Sequence, residues 1–266
     1  MVETIKPLAA TRQLLVPILG ESRTGNPAPL GHETADRTLR GGLMRGALHE
    51  IFAGDATAFG FAAASAGRAA GRKRLLWIVQ DYSTLEHGAI SPTGLAEFGI
   101  DPFSFLLLRV ADATDALRAG VDALSCSALG AVIVEIPGNP KILDLVASRR
   151  LVLAAQSKGI SVFLLRPCAE VEPSAAETRW LIRAAPSPQE DNWGMPRFDA
   201  ELIRNRHGET GRWTMEWCCD DGVFRDPVEP GARKSAELPA AHPGVMAPTP
   251  ADRPAAAAHQ GWRRAG

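Results

Sequence analysis

The chain has 266 residues, 45% of them hydrophobic, which suits one α/β domain with extensions or two small domains. Its 29 basic and 30 acidic residues leave a net charge of −1, so no global positive field points to nucleic acid, and a DNA contact would need a local patch. Cys126, Cys168, Cys218 and Cys219 lack C-x-x-C spacing and have too few histidines nearby for zinc, so they read as reduced thiols. No apolar run approaches the roughly 18 residues of a membrane helix, and no charged-then-apolar leader is visible. The expectation is a soluble, cytoplasmic protein with no metal.

Residues 1–35 carry Pro7, Pro17, Pro27 and Pro29 and read as an arm and linker. A glycine hairpin at Gly41-Gly42 leads into a short buried strand at 47–52, then a small-residue loop, then an alanine-rich helix at 57–70 with Asp55 or Thr57 as its cap. Continuous apolar runs at 75–80, 105–110, 131–136 and 160–165 read as parallel strands buried on both faces. Between them, 112–127 opens on acidic residues and repeats Leu117, Val121 and Leu124 at helical spacing, while 143–157 ends before Gly159. Strands alternating with helices of this length predict crossover units and a parallel sheet.

After Pro167 the pattern changes. Segments 179–185, 198–205 and 212–217 read as strands that extend the sheet in antiparallel fashion, the last two joined by the glycine-bearing turn 206–211. Trp180, Trp193, Trp213 and Trp217 cluster here, and Trp213, Met215 and Trp217 fall on one strand face, as core or as interface. The last 41 residues, from Asp226, hold seven prolines, eleven alanines and four glycines, too little apolar surface to offset ordering entropy. The expected organisation is an arm at 1–35, an α/β domain at 36–225 and a disordered tail at 226–266.

Strand, loop and helix at 47–61 are where a phosphate-binding loop belongs, and that loop requires G-x-x-x-x-G-K-[ST]. Gly54 opens a loop of suitable length, yet the lysine is missing, Phe59 followed by Gly60 stands near its expected place, and no hydroxyl follows to hold magnesium. Arg68, Arg72 and Lys73 cannot substitute: nine helical residues from Phe59 to Arg68 span roughly 13 Å. The architecture of a nucleotide site is present without its chemistry, and no cofactor is expected.

Several motifs in order carry a family resemblance: Asp36, then Leu39-Arg40-Gly41-Gly42-Leu43-Met44-Arg45-Gly46, His49-Glu50-Ile51, Ser91-Pro92-Thr93-Gly94-Leu95 with Gly99, Ser148-Arg149-Arg150-Leu151, Thr178-Arg179-Trp180, and Leu202-Ile203-Arg204-Asn205-Arg206 through Gly208, Gly211 and Glu216-Trp217. Over residues 30–217 the chain resembles the ImuA family, the RecA-like accessory proteins of bacterial inducible mutagenesis. The resemblance implies a RecA-like core with a mainly parallel sheet flanked by helices and an antiparallel C-terminal extension. It also implies a role in error-prone translesion synthesis during the SOS response. Implied partners are an ImuB-type Y-family polymerase relative and an error-prone polymerase of the replicative alpha type, with RecA a further candidate and direct DNA contact left open. The function expected is a non-enzymatic adaptor; its rivals are a RecA-class ATPase and an SOS cell-division inhibitor.

Individual residues follow. Glu135 ends the third core strand, where RecA relatives carry the acid of their second nucleotide motif; alternatively it pairs locally. Arg149 and Arg150 are solvated or face a partner. Arg204, Arg206, His207 and Arg212 concentrate charge on one hairpin, as a solvated turn or a contact surface. Arg204-Asn205-Arg206 resembles the Lys-Asn-Lys stretch with which RecA reaches the nucleotide of a neighbouring protomer, which makes these residues candidates for partner binding.

Overall fold

The structure, a computed structural model, describes residues 26–187 and 194–228. The first 25 residues, Trp193, and the tail from 229 onward lie outside the described residues. Within one unit the chain runs through helix α1 (Glu33–Thr38), strand β1 (Leu48–Ala53), α2 (Thr57–Ala70), β2 (Arg74–Gln80), α3 (Asp81–His87), α4 (Pro92–Glu97), a single 3₁₀ turn (Pro102–Ser104), β3 (Phe105–Val110), α5 (Ala113–Ala123), β4 (Leu129–Glu135), α6 (Leu145–Lys158), β5 (Ser161–Pro167), β6 (Thr178–Ala184), β7 (Arg197–Asn205), β8 (Gly211–Cys218) and β9 (Val223–Arg225). The nine strands make one sheet in the order β3-β2-β4-β5-β1-β6-β7-β8-β9. Pairing is parallel from β3 across to β6 and antiparallel from β6 to β9.

Burial follows from this layering. Every residue of β1, β5 and all but one of β4 is buried, which explains their unbroken apolar runs. On one face, Ala58, Phe61, Ala62, Ala66 and Ala69 of α2 lie on Ile51, Trp77, Ile133, Phe163 and Trp180. Small side chains let this helix settle close to the sheet; a Cβ on Gly130 would stand 2.4 Å from the carbonyl of Ala70. On the other face, Leu117 of α5 and Leu151 and Ala155 of α6 cover Leu48, Val132, Val134 and Leu164. Asp112 and Asp144 cap α5 and α6 by accepting first-turn amides, and Gly159 closes α6 in the left-handed region at φ 67°.

Three expectations need correction. Strand β3 is not buried on both faces: it is the sheet's outer strand, and Leu106, Leu107 and Leu108 are 40%, 45% and 39% exposed. An apolar run carries the same signal in an edge strand as in a central one. Strand β6 pairs with β1 in parallel, so the antiparallel part begins one strand later than the composition change after Pro167 suggests. Helices α3 and α4 fill the stretch between β2 and β3, where the sequence reading placed no element.

The glycine hairpin is locked to the sheet through His49. Its Nε2 lies 2.9 Å from the carbonyl of Met44, which can only accept, so Nδ1 accepts from the hydroxyl of Thr178 at 2.8 Å. That hydroxyl oxygen in turn accepts from the indole N–H of Trp180 at 3.1 Å. Full burial holds the imidazole pKa down to about 4, below its ordinary value of 6.5, and the Met44 carbonyl offsets only part of the effect. Between those values the unfolded chain binds a proton that the folded chain refuses, so stability rises with pH across the window and is lost as pH falls. The expected loss is about 2 kcal/mol between pH 7 and pH 5, read from urea denaturation at both pH values. His49→Gln should flatten that slope; an unchanged slope would show that His49 is not its source.

Candidate functional site

The loop after β1 and the end of β4 lie together at the C-terminal edge of the parallel strands, where α/β proteins place their chemistry. Gly54, Asp55 and Ala56 are exposed. Asp55 accepts the amide of Thr57 at 2.9 Å, and the Thr57 hydroxyl, with that amide second, holds its carboxyl below the usual carboxylate range. The N-cap residue itself is Ala56, with no side-chain cap, so Asp55 acts one position earlier than expected.

Phe59, next to the position where the loop motif needs its lysine, is packed into the protein. Its ring stacks on Trp77 at 6.1 Å between centroids and lies 5.2 Å from the ring of His87. The side chain beside the position where the loop motif needs its lysine is thus an aromatic ring packed sideways against the protein. Arg68 is likewise committed elsewhere, donating to the carbonyls of Pro29 and Gly222.

Glu135 is the last residue of β4 and only 1% exposed. Its Oε2 accepts the indole N–H of Trp77 at 3.2 Å, and its backbone carbonyl accepts from the side-chain amide of Gln80 at 3.3 Å. Burial raises its pKa above the usual range; Ser83, Trp77 and His87 pull it the other way. Oε1 and the nearby, also buried, Ser83 hydroxyl make no hydrogen bond of good geometry, though the hydroxyl is close enough to act on the carboxyl. Phe59, Gly60, Trp77, Ser83, His87, Leu95, Phe98 and Glu135 belong to the wall of one cavity of about 280 Å³. The sequence singled out Phe59, Gly60 and Glu135 and the structure brings them together. It missed Trp77, Ser83 and the α3–α4 wall, although Ser91 followed by Pro92 is a helix-start signal: Ser91 caps α4 and Pro92 opens it.

The basic hairpin divides. Arg212 is held by Asp199 through two bonds of 2.7 and 2.6 Å, and Arg183 approaches the same carboxylate. Arg212 therefore does not share one free patch with Arg204 and Arg206, for which no acidic partner is found among the described residues. Arg204 pairs across the strands with Arg179, and both Arg204 and Arg206 lie near enough to that guanidinium to depress its pKa. His207 meets Glu177 at 3.2 Å. Because β7 runs antiparallel to β6, Arg204 and Arg206 stand at the N-terminal edge of the parallel strands, opposite the Gly54 loop. A seven-residue strand separates the two edges by roughly 20 Å, so these arginines cannot serve their own loop. Arg149 and Arg150 are exposed on α6, and Arg150 borders a groove between α5 and α6.

No family model matches the chain. Protein ImuA from two strains of Caulobacter vibrioides is 32% identical over 136 residues, covering 46% of this chain and 54% of each relative. The chain therefore spans about half the length of the curated relatives it matches. A crystal structure of the RadB recombinase superposes with a TM-score of 0.51 at 16% identity, over 76% of this chain and all of that one. That likeness concerns the fold. None of the helices among the described residues is long and apolar enough to cross a membrane. The chain has a RecA-like fold, and its sequence likeness is consistent with assignment to the ImuA family.

Proposed function

We propose that this chain is a non-enzymatic adaptor in SOS-induced, error-prone translesion DNA synthesis, working with an ImuB-type Y-family polymerase relative and an error-prone alpha-type DNA polymerase. The observation that carries the non-enzymatic part is the loop itself: counted from Gly54, Gly60 stands at the lysine position and Phe61 at the hydroxyl position, and the adjoining Phe59 ring is stacked on Trp77. Phosphoryl chemistry depends on charge that neutralises the phosphates, and the loop supplies none. The retained fold and the likeness to ImuA favour a role among mutagenesis accessory proteins over a newly evolved enzyme.

Arg204 and Arg206 supply the docking hypothesis. A head-to-tail filament joins a nucleotide-bearing face to a reaching face on the next subunit. This chain keeps reaching guanidiniums at one edge and lacks a phosphate-neutralising loop at the other, so it would dock on the ATP-bearing end of a RecA filament and stop growth there. Guanidinium groups remain charged and grip phosphate oxygens in pairs. The expected results are no magnesium–ATP uptake by calorimetry, and binding to RecA–DNA filaments made with a non-hydrolysable ATP analogue. That binding should weaken at least tenfold in Arg204→Ala/Arg206→Ala. Micromolar ATP binding lost on altering the Gly54 loop would overturn the non-enzymatic reading. Equal filament binding by both proteins would overturn the docking mode.

A further inference from the structure

The cavity behind Phe59 is too polar at one point to be a packing defect. Its floor is buried: Ala63, Trp77, Leu95, Ser83 and Glu135. Its rim is open to solvent at His87, Gly88, Ala89, Leu107 and Arg109. Buried polar atoms in folded proteins are almost always hydrogen-bonded, yet Glu135 Oε1 and Ser83 Oγ make no hydrogen bond of good geometry, although the hydroxyl is close enough to act on the carboxyl. An oriented acceptor at the bottom of an apolar, ring-lined hollow is the usual composition of a small-ligand site.

Size and charge narrow the ligand. A cavity of about 150 Å³ with an apolar lining already holds benzene, so about 280 Å³ accommodates a two-ring group. An ion would have to leave water to reach the floor. A phosphate would in addition meet Glu135 with like charge, and the rim guanidinium of Arg109 is already paired with Asp81 at 2.9 Å. What remains is a neutral ring with a hydrogen to donate. We infer that this cavity binds a ring-sized, uncharged heteroaromatic group carrying one N–H donor, an indole in size and polarity, with Glu135 Oε1 as the acceptor. Phe59, Phe98 and Leu95 supply the apolar contacts, and Trp77 holds the carboxyl in place through Oε2. The former phosphate side of the fold has become a site for an apolar donor.

The test uses the full chain with indole as the probe and toluene as a ring without a donor. Calorimetry should show saturable indole binding at least tenfold tighter than toluene. Ala63→Leu, which adds carbons inside the cavity and leaves the carboxyl intact, should abolish it. The Trp77 indole N–H resonance, identified by its loss in Trp77→Phe, should shift during the titration, and it decides the matter even if Ala63→Leu folds poorly. Absence of saturable indole binding, equal affinity for toluene, a folded Ala63→Leu protein that binds as before, or an unmoved Trp77 resonance would each overturn the inference. Failure here leaves the adaptor reading standing, since that rests on the loop; magnesium–ATP uptake would sink that reading without touching this one.

Discussion

Glu50→Ala should destabilise the protein by about 3–5 kcal/mol, the cost of breaking a buried ion pair from one side. Glu50 sits in mid-β1, 1% exposed, between two guanidiniums: Arg166 at 3.4 Å and Arg179 at 3.0 Å. Ser174 donates to its Oε2 at 2.5 Å and accepts from Arg179 Nη2 at 2.8 Å, while Arg166 Nη2 donates to the carbonyl of Gly138 at 2.7 Å. Glu50 thus faces two arginines whose pKa values are lowered, chiefly by desolvation, with Glu172 acting on Arg166 from farther off. Removing Glu50 leaves two desolvated cations facing each other across the sheet, with Arg204 and Arg206 adding to the repulsion on Arg179. Urea denaturation measures the effect. A loss under about 1 kcal/mol, the range of an exposed pair, would mean that water reaches the cluster.

Gly42→Ala should cost about 2–5 kcal/mol, adding backbone strain to overpacking. Gly42 has φ 126°, and a Cβ there would stand 2.3 Å from the carbonyl oxygen of Ala28 and 2.6 Å from Cα of Pro29. Neither can retreat cheaply, because Ala28 and Leu43 exchange backbone hydrogen bonds of 2.7 and 2.8 Å. Gly54 provides the contrast. Its backbone is ordinary and a Cβ would meet nothing within 4 Å, so Gly54→Ala should stay within about 0.5 kcal/mol of the natural chain. The two substitutions, compared by thermal melting, separate a glycine required by the fold from one that only a phosphate would have required. Similar melting temperatures for both would refute the packing argument at Gly42.

Much of this architecture was legible in the sequence because its physical signals are local. The helix at 57–70 was read to the residue, since alanine density and flanking breaks coincide there. Glu135 was placed at its strand end because an acid closing an apolar run is conspicuous. What escaped depended on distant partners. Leu106 to Leu108 do not reveal that no strand lies beyond them. Arg212 looks like Arg204 until Asp199, on the neighbouring strand, is seen to claim it. Glu50 passed as one letter of a motif, since nothing near it in sequence announces Arg166 or Arg179. Ser91-Pro92 did announce a helix, and was read only as part of a resemblance.

The contacts of Arg68 make the described domain nearly circular. Its guanidinium holds the carbonyls of Pro29 and Gly222, while the amide of Phe224 donates to Leu30 at 3.0 Å and His32 meets Asp226 at 3.2 Å. The backbone therefore enters and leaves the fold through adjacent doors. A domain whose first and last described segments lie side by side can be joined there and reopened at an exposed turn such as Gly208 without altering the order of strands in space. Anything fused before Pro27 or after Pro227 is delivered to the same corner of the molecule.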